Sequence, residues 1–91
     1  MRRAARVDDN ESVIVDALRK AGVSVEQIKK PVDLLICHLG ETSLMEVKNP
    51  DGKDRLTKDQ IDFIARWPGK IHVVRTVQEA FIAVLGKEVM A

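Results

Sequence analysis

Three charged residues sit where the hydropathy pattern asks for apolar ones. Asp33 interrupts the run Val32-Asp33-Leu34-Leu35-Ile36, and Glu46 and Lys48 interrupt Leu44-Met45-Glu46-Val47-Lys48. A carboxylate inside a buried strand is costly unless it is paired or binds a metal. A structural ion pair is a poor stabilising device when buried, and this set leaves one acid unbalanced. The same residue types suit phosphodiester hydrolysis. A Mg²⁺ ion held by Asp33 and Glu46 would lower the pKa of a bound water and offset charge in a phosphorane-like transition state. Lys48 would orient or help deprotonate that water and offset charge on the phosphate. Mg²⁺ keeps several of its waters, so two carboxylates and a backbone carbonyl are enough protein ligands.

Spacing supports the grouping. Gly40-Glu41 is expected as the two-residue turn of a hairpin, with Leu39 facing Thr42. Counting outward, Leu35 then faces Glu46 and Asp33 faces Lys48. Side chains alternate in direction, so Asp33, Leu35, Leu44, Glu46 and Lys48 share one face. Asp33 would lie diagonal to Glu46, with Cβ atoms roughly 7 Å apart. That distance lets both close on one cation at about 2.0–2.1 Å. An even-length turn keeps this phase, whereas an odd one breaks it unless a bulge restores it.

Two further polar residues point the same way. Glu11 precedes Ile14 by three and Leu18 by seven, on the inward stripe of a helix. Its alternative role is a favourable acid in a helix's first turn, near the positive end of the dipole. Gln60 lies one turn before Ile64. Thr57-Lys58-Asp59-Gln60 also reads as a capping box, so capping and a site role both stand for it.

The elements that must position these residues follow from periodicity. Residues 1 to 9 are expected as a basic arm. Asp8, Asp9 and Asn10 offer N-caps for a helix over about 10–21, with Val13, Ile14, Ala17, Leu18 and Ala21 at helical spacing and Gly22 as the stop. A short connection leads to strands over Val32 to Leu39 and Thr42 to Lys48. Residues 49–56 form a polar loop with Asn-Pro and Asp-Gly signals. Thr57 caps a helix to about Trp67, and Pro68-Gly69 ends it. Ile71 to Arg75 is a third strand, parallel to the second. Thr76 with Glu79 gives a capping box for a last helix ending near Gly86. The expected fold is α/β, order α-β-β-α-β-α, with a mixed sheet flanked by helices.

The bulk numbers allow this. A chain of 91 residues, 45% hydrophobic and 32% charged, supports one domain around one modest core. Aromatic residues are 3%, so base stacking is not the main recognition mode. Net charge is +1, but its placement is uneven. Arg2, Arg3 and Arg6 crowd the start. Lys29 and Lys30 make a second basic spot, and Lys53, Arg55 and Lys58 a third. Each could equally be solvated surface. The single cysteine, Cys37, excludes an internal disulfide and a cysteine-based zinc site, and its apolar run suggests a small buried hydrophobe. No run of about 18 apolar residues exists to span a membrane, and no apolar segment follows the first arginines as in a secretory signal. The expected location is the cytoplasm of a bacterium or a phage-infected cell.

Other residues carry less. His38 has the opposite parity to Asp33, and His72 lies far along the chain, so both are expected as ordinary strand histidines. Ser43 has no His or Asp partner at plausible spacing. The glycines form no phosphate-cradling pattern. Val77, Phe81, Val84 and Leu85 are expected in the core or on a dimer surface.

At Asp33 and Glu46-Val47-Lys48 the chain resembles the PD-(D/E)XK nuclease superfamily, whose hallmark is an acid on one hairpin strand and Glu-X-Lys on the next. Within it, the chain is most similar to the VRR-NUC (virus-type replication-repair nuclease) branch and its small stand-alone phage and bacterial members. The shared features run from about Arg6 to Gly86. They are a helix bearing Glu11, Asp33-Leu34-Leu35, Met45-Glu46-Val47-Lys48, Leu56-Thr57 with Gln60, and Val73-Val74-Arg75 before the Thr76-capped helix. One departure is Val32, which separates Pro31 from the acid.

The resemblance implies a restriction-endonuclease-like core. It implies Glu11, Asp33 and Glu46 as metal-site acids, the Val47 carbonyl as a further ligand, Lys48 as catalytic and Gln60 as support. It also implies Mg²⁺ or Mn²⁺, a homodimer, and structured DNA such as four-way (Holliday) junctions or flaps. Lys29 and Lys30 would take over some substrate contact at the altered strand entry. The expected function is thus a metal-dependent DNA endonuclease. The alternative is a catalytically silent nucleic-acid-binding or adaptor module on the same fold. A purely structural α/β protein with salt-bridged acids is the third possibility.

Overall fold

The computed structural model describes residues 4–86, with side chains from Asn10 onward. Its elements are α1 (Ala4–Lys20), β1 (Ser24–Gln27), β2 (Leu34–His38), β3 (Glu41–Val47), α2 (Lys58–Arg66), β4 (Ile71–Val74) and α3 (Val77–Leu85). The fold is α/β, and one mixed sheet runs in the order β1-β2-β3-β4. The pairs β1–β2 and β2–β3 are antiparallel, while β3–β4 is parallel. A parallel neighbour requires a crossover, and α2 supplies it.

Apolar residues leave both faces of the sheet, so helices cover both. Ile14, Val15 and Leu18 of α1 and Ala80 of α3 pack on Val25, Leu34, Ile36, Met45 and Val74. Val77, Phe81, Val84 and Leu85 pack against this cluster, as expected of core residues. On the other face, Phe63 of α2 covers Val32 and Leu44, with Ile28, Ile64 and Ile71 at the rim. Ile14, Leu18, Leu34, Ile36 and Met45 are all fully buried, each worth roughly 1.5–3 kcal/mol of transfer free energy.

Several boundaries differ from expectation. The first helix starts at Ala4, not near residue 10, so it absorbs most of the segment read as an arm. The segment read as a connection contains β1, in which only Val25 is buried. One inward apolar residue in four leaves little alternation to detect. The second strand starts at Leu34, after Asp33 rather than before it.

The hairpin turn is Leu39-Gly40, one residue earlier than Gly40-Glu41. His38 pairs with Glu41 and Leu35 with Leu44. Leu39 and Gly40 both have positive φ, 52° and 81°. That is the backbone of a type I′ turn, whose twist matches the flanking strands. Leucine rarely adopts it, which hid the turn from a composition-based reading.

Caps are local and were legible. Thr57 Oγ1 accepts from the Gln60 amide at 3.1 Å, and Gln60 Oε1 accepts from the Thr57 amide at 3.0 Å. Thr76 caps α3 through the Glu79 amide at 3.0 Å, but the Glu79 carboxylate accepts from the Arg75 amide at 2.6 Å, so the second half of that box shifts by one residue. Gly86 closes α3 in the left-handed conformation. Among the described residues, no helix is long and apolar enough to cross a membrane.

Candidate active site

The site forms where β2 begins and β3 ends. One step beyond the Leu34–Met45 pair, the register sets Asp33 opposite Glu46. The expected diagonal relation is therefore corrected to a direct one. The turn moved by one residue and the pairing by two, so the phase survived and the acids share a face. The Asp33 amide donates to Glu46 Oε1 at 3.2 Å, and the Val47 amide donates to Asp33 Oδ2 at 2.9 Å. The N–H and C=O of a strand residue point to the same edge. The Val47 carbonyl is thus directed to the Asp33 side, while the Lys48 amide turns the other way to Val74 O at 2.9 Å.

Glu46 is 3% exposed and Lys48 9%. Lys48 Nζ lies 3.3 Å from Glu46 Oε2 and 3.3 Å from Gln60 Oε1. Gln60 Nε2 donates to Glu46 Oε2 at 2.7 Å. Capping and site support are therefore not alternatives for Gln60: its carboxamide caps α2 with one atom and clamps the acid with the other.

Glu11 is 6% exposed and accepts from Gln27 Nε2 at 2.8 Å. Because α1 starts at Ala4, Glu11 lies well inside the helix, and the first-turn dipole account of it no longer applies. Glu11, Asp33, Glu46, Val47 and Lys48 line one small cleft of about 130 Å³, joined by Asn10, Asn49 and Asp54.

Electrostatics mark Asp33. Burial pushes its carboxyl up to about 6, and the neighbouring Glu46 and Glu11 charges add to this against the opposing Val47 hydrogen bond and Lys48. Three acids thus face one ammonium, in a set of hard oxygen donors that suits Mg²⁺ or Mn²⁺ in chemistry. Among the described residues, however, no three His, Cys, Asp or Glu side chains are gathered closely enough to hold an ion. The acids are spread along the cleft on protein partners: Glu11 on Gln27, Asp33 on Val47, and Glu46 on Lys48 and Gln60.

The structure adds residues that sequence reasoning passed over. Asn10 Nδ2 donates to Lys48 O at 2.7 Å and to Arg75 O at 3.3 Å, tying α1 to the ends of β3 and β4. The Arg75 guanidinium donates to Asn49 O, Asp54 Oδ1 and Asp54 O at 2.7, 2.9 and 3.1 Å. Burial alone would raise the Asp54 carboxyl, but bonds from the Asn49 amide and Arg75 outweigh it and hold the group below its ordinary value. These contacts span more than twenty residues or fold a polar loop back on itself, and neither leaves a periodic signal.

The basic residues divide. Lys29 and Lys30 are exposed beside α2 on a neighbouring groove. Lys53, Arg55 and Lys58 are exposed and do not line the cleft, and Lys58 pairs with Asp62 at 3.0 Å. Arg2 and Arg3 lie outside the described residues, as does the Arg6 side chain. His38 and His72 line a separate small cavity with Glu41 and Lys70, and His72 pairs with Met45 on the neighbouring strand. Burial, and then Lys70, holds the His72 imidazole below its ordinary pKa. Comparison with protein-family models, with curated proteins and with solved structures finds no match.

Proposed function

We propose that the protein is a divalent-metal-dependent endonuclease that hydrolyses DNA phosphodiester bonds, with branched or flapped DNA as its substrate class. The observation that carries this is the set of half-buried Asp33 with buried Glu46 and Lys48, gathered where β2 begins and β3 ends at one cleft. Glu11, Asp33 and Glu46, with the Val47 carbonyl, would hold Mg²⁺ or Mn²⁺ once their side chains turn from Gln27, the Val47 amide and Lys48 toward one ion. The ion would acidify a water and offset phosphate charge when bound. Lys48 holds the attacking water in line with phosphorus and carries positive charge beside the non-bridging oxygens. Attack forms one P–O bond and breaks another; the attacking water gives up a proton to solvent, and the leaving oxygen takes one from it. Gln60 fixes the Lys48 and Glu46 head groups against each other. Pairing of two copies belongs to the same proposal: β4 is an edge strand, with Val73 and Ile82 exposed beside it.

A second reading is a silent nucleic-acid-binding module. It is favoured by the spread of the acids on protein partners. A cleavage panel separates the two: labelled single strand, duplex, flap and four-way junction, each with Mg²⁺, Mn²⁺ or EDTA. Metal-dependent cutting that Lys48→Ala abolishes supports the nuclease. Binding without cutting supports the module.

A further inference from the structure

A second cavity adjoins the site. A groove of about 560 Å³ runs between residues 29–31 and α2, with Lys29, Lys30 and Arg66 on its walls and Pro31 and Phe63 as its apolar part. We propose that this groove holds one unpaired nucleotide of the cut strand, beside the scissile phosphate, with Lys29 and Lys30 on the flanking phosphate. The proposal rests on the nuclease reading for the word "cut", but not for the binding itself.

Continuity with the site is the first support. Gln60 lines the groove and also bonds Glu46 and Lys48, which line the site cleft, so one side chain links the two cavities. The second support is the anchoring of the lysines. The Ile28 and Lys29 amides both donate to the Asp33 carbonyl, at 2.8 and 3.2 Å. The basic segment is therefore fastened to the residue that carries a site acid, which holds the step from acid to lysine at a set length. Lys29 also has φ 75°, a left-handed conformation that lysine rarely adopts and that these bonds maintain.

Charge and size agree. Asp59 and Asp62 also line the groove, but Asp62 is paired with Lys58 at 3.0 Å, which leaves the balance positive. The volume falls in the range of about 300–1,000 Å³ typical of small-ligand pockets. A groove of that size admits one nucleotide and not a duplex. A phosphate needs the cations, and a sugar and base edge need the apolar floor that Phe63 and Pro31 provide.

The test uses fluorescence anisotropy of a labelled flap DNA, in Ca²⁺, across a salt series. The proteins are wild type, the double variant Lys29→Ala with Lys30→Ala, Arg66→Ala, and Lys20→Ala as an exposed control on α1. All four altered residues are exposed, and circular dichroism checks the fold of each variant. The double variant should bind roughly tenfold more weakly, and its salt slope should fall by about one unit for the one phosphate the two lysines share. Arg66→Ala should follow it in direction, and Lys20→Ala should match wild type. The double variant should lose more on flap DNA than on bis(p-nitrophenyl) phosphate, which has no nucleoside. Unchanged affinity and slope in the double variant would overturn the proposal, and so would an equal loss on the small ester. If wild type hydrolyses neither substrate but binding still depends on the lysines, the nuclease reading fails and the groove stands.

Discussion

Asp33 and Glu46 face each other directly across the β2–β3 pair, with the Asp33 amide donating to Glu46 Oε1 at 3.2 Å. The half-buried Asp33 carboxyl has lost part of its hydration there and lies beside the charge of Glu46. Burial, with the Glu46 and Glu11 charges adding to it, holds Asp33 at about 6 rather than near 3.8.

That shift has a sign for stability. The folded pKa is above the unfolded value, so ionised Asp33 disfavours the fold. Its penalty is absent below about pH 4, grows between 4 and 6, and is complete above 6. Asp33→Asn should therefore stabilise the metal-free protein at pH 8 and change little at pH 4, while abolishing metal-dependent activity. Urea unfolding in EDTA at the two pH values checks it. Equal effects at both would remove the burial account.

Lys48→Ala should reduce cleavage by roughly 10²–10⁴-fold, the usual scale for losing a proton-transfer or charge-stabilising group, while DNA binding persists. Single-turnover cleavage together with anisotropy reads both. Cutting at the wild-type rate would sink the role given to Lys48.

Gln60 and Thr57 share a cap, so the pair can be separated by function. Thr57→Ala should cost about 0.5–2 kcal/mol of stability and leave turnover nearly intact. Gln60→Ala should lose stability on the same scale and also lower turnover, because Lys48 and Glu46 lose their common partner. Thermal melts beside cleavage rates decide. Identical profiles for the two variants would reduce Gln60 to a capping residue.

Glu11→Gln should keep the fold, since a carboxamide can still accept from Gln27 Nε2. It should weaken Mn²⁺ binding measured by titration calorimetry. Full retention of affinity would take Glu11 out of the ligand set.

Leu39 is 88% exposed and held at φ 52°. Leu39→Asn should raise stability by roughly 1 kcal/mol, because asparagine tolerates the left-handed conformation that leucine resists. Chemical denaturation reads this directly.

The sequence by itself determined the elements whose signals are local. Caps at Thr57 and Thr76, the apolar stripe of α1 and the breaker Pro68-Gly69 are written within a few residues of where they act. It also determined that Asp33, Glu46 and Lys48 belong together, because side-chain alternation and an even-length turn fix a face whatever the exact register. Only the tertiary structure decided the rest. Whether Asp33 is diagonal to Glu46 or opposite it depended on Leu39 entering a turn it disfavours, a choice made by the twist and packing of both strands. That Glu11 is a buried acid and not a first-turn charge depended on where α1 begins. The bonds from Asn10, Gln27 and Arg75 join residues distant in sequence or loops without period. Such contacts arise when buried polar groups must find partners in an already packed chain, and no local pattern announces them.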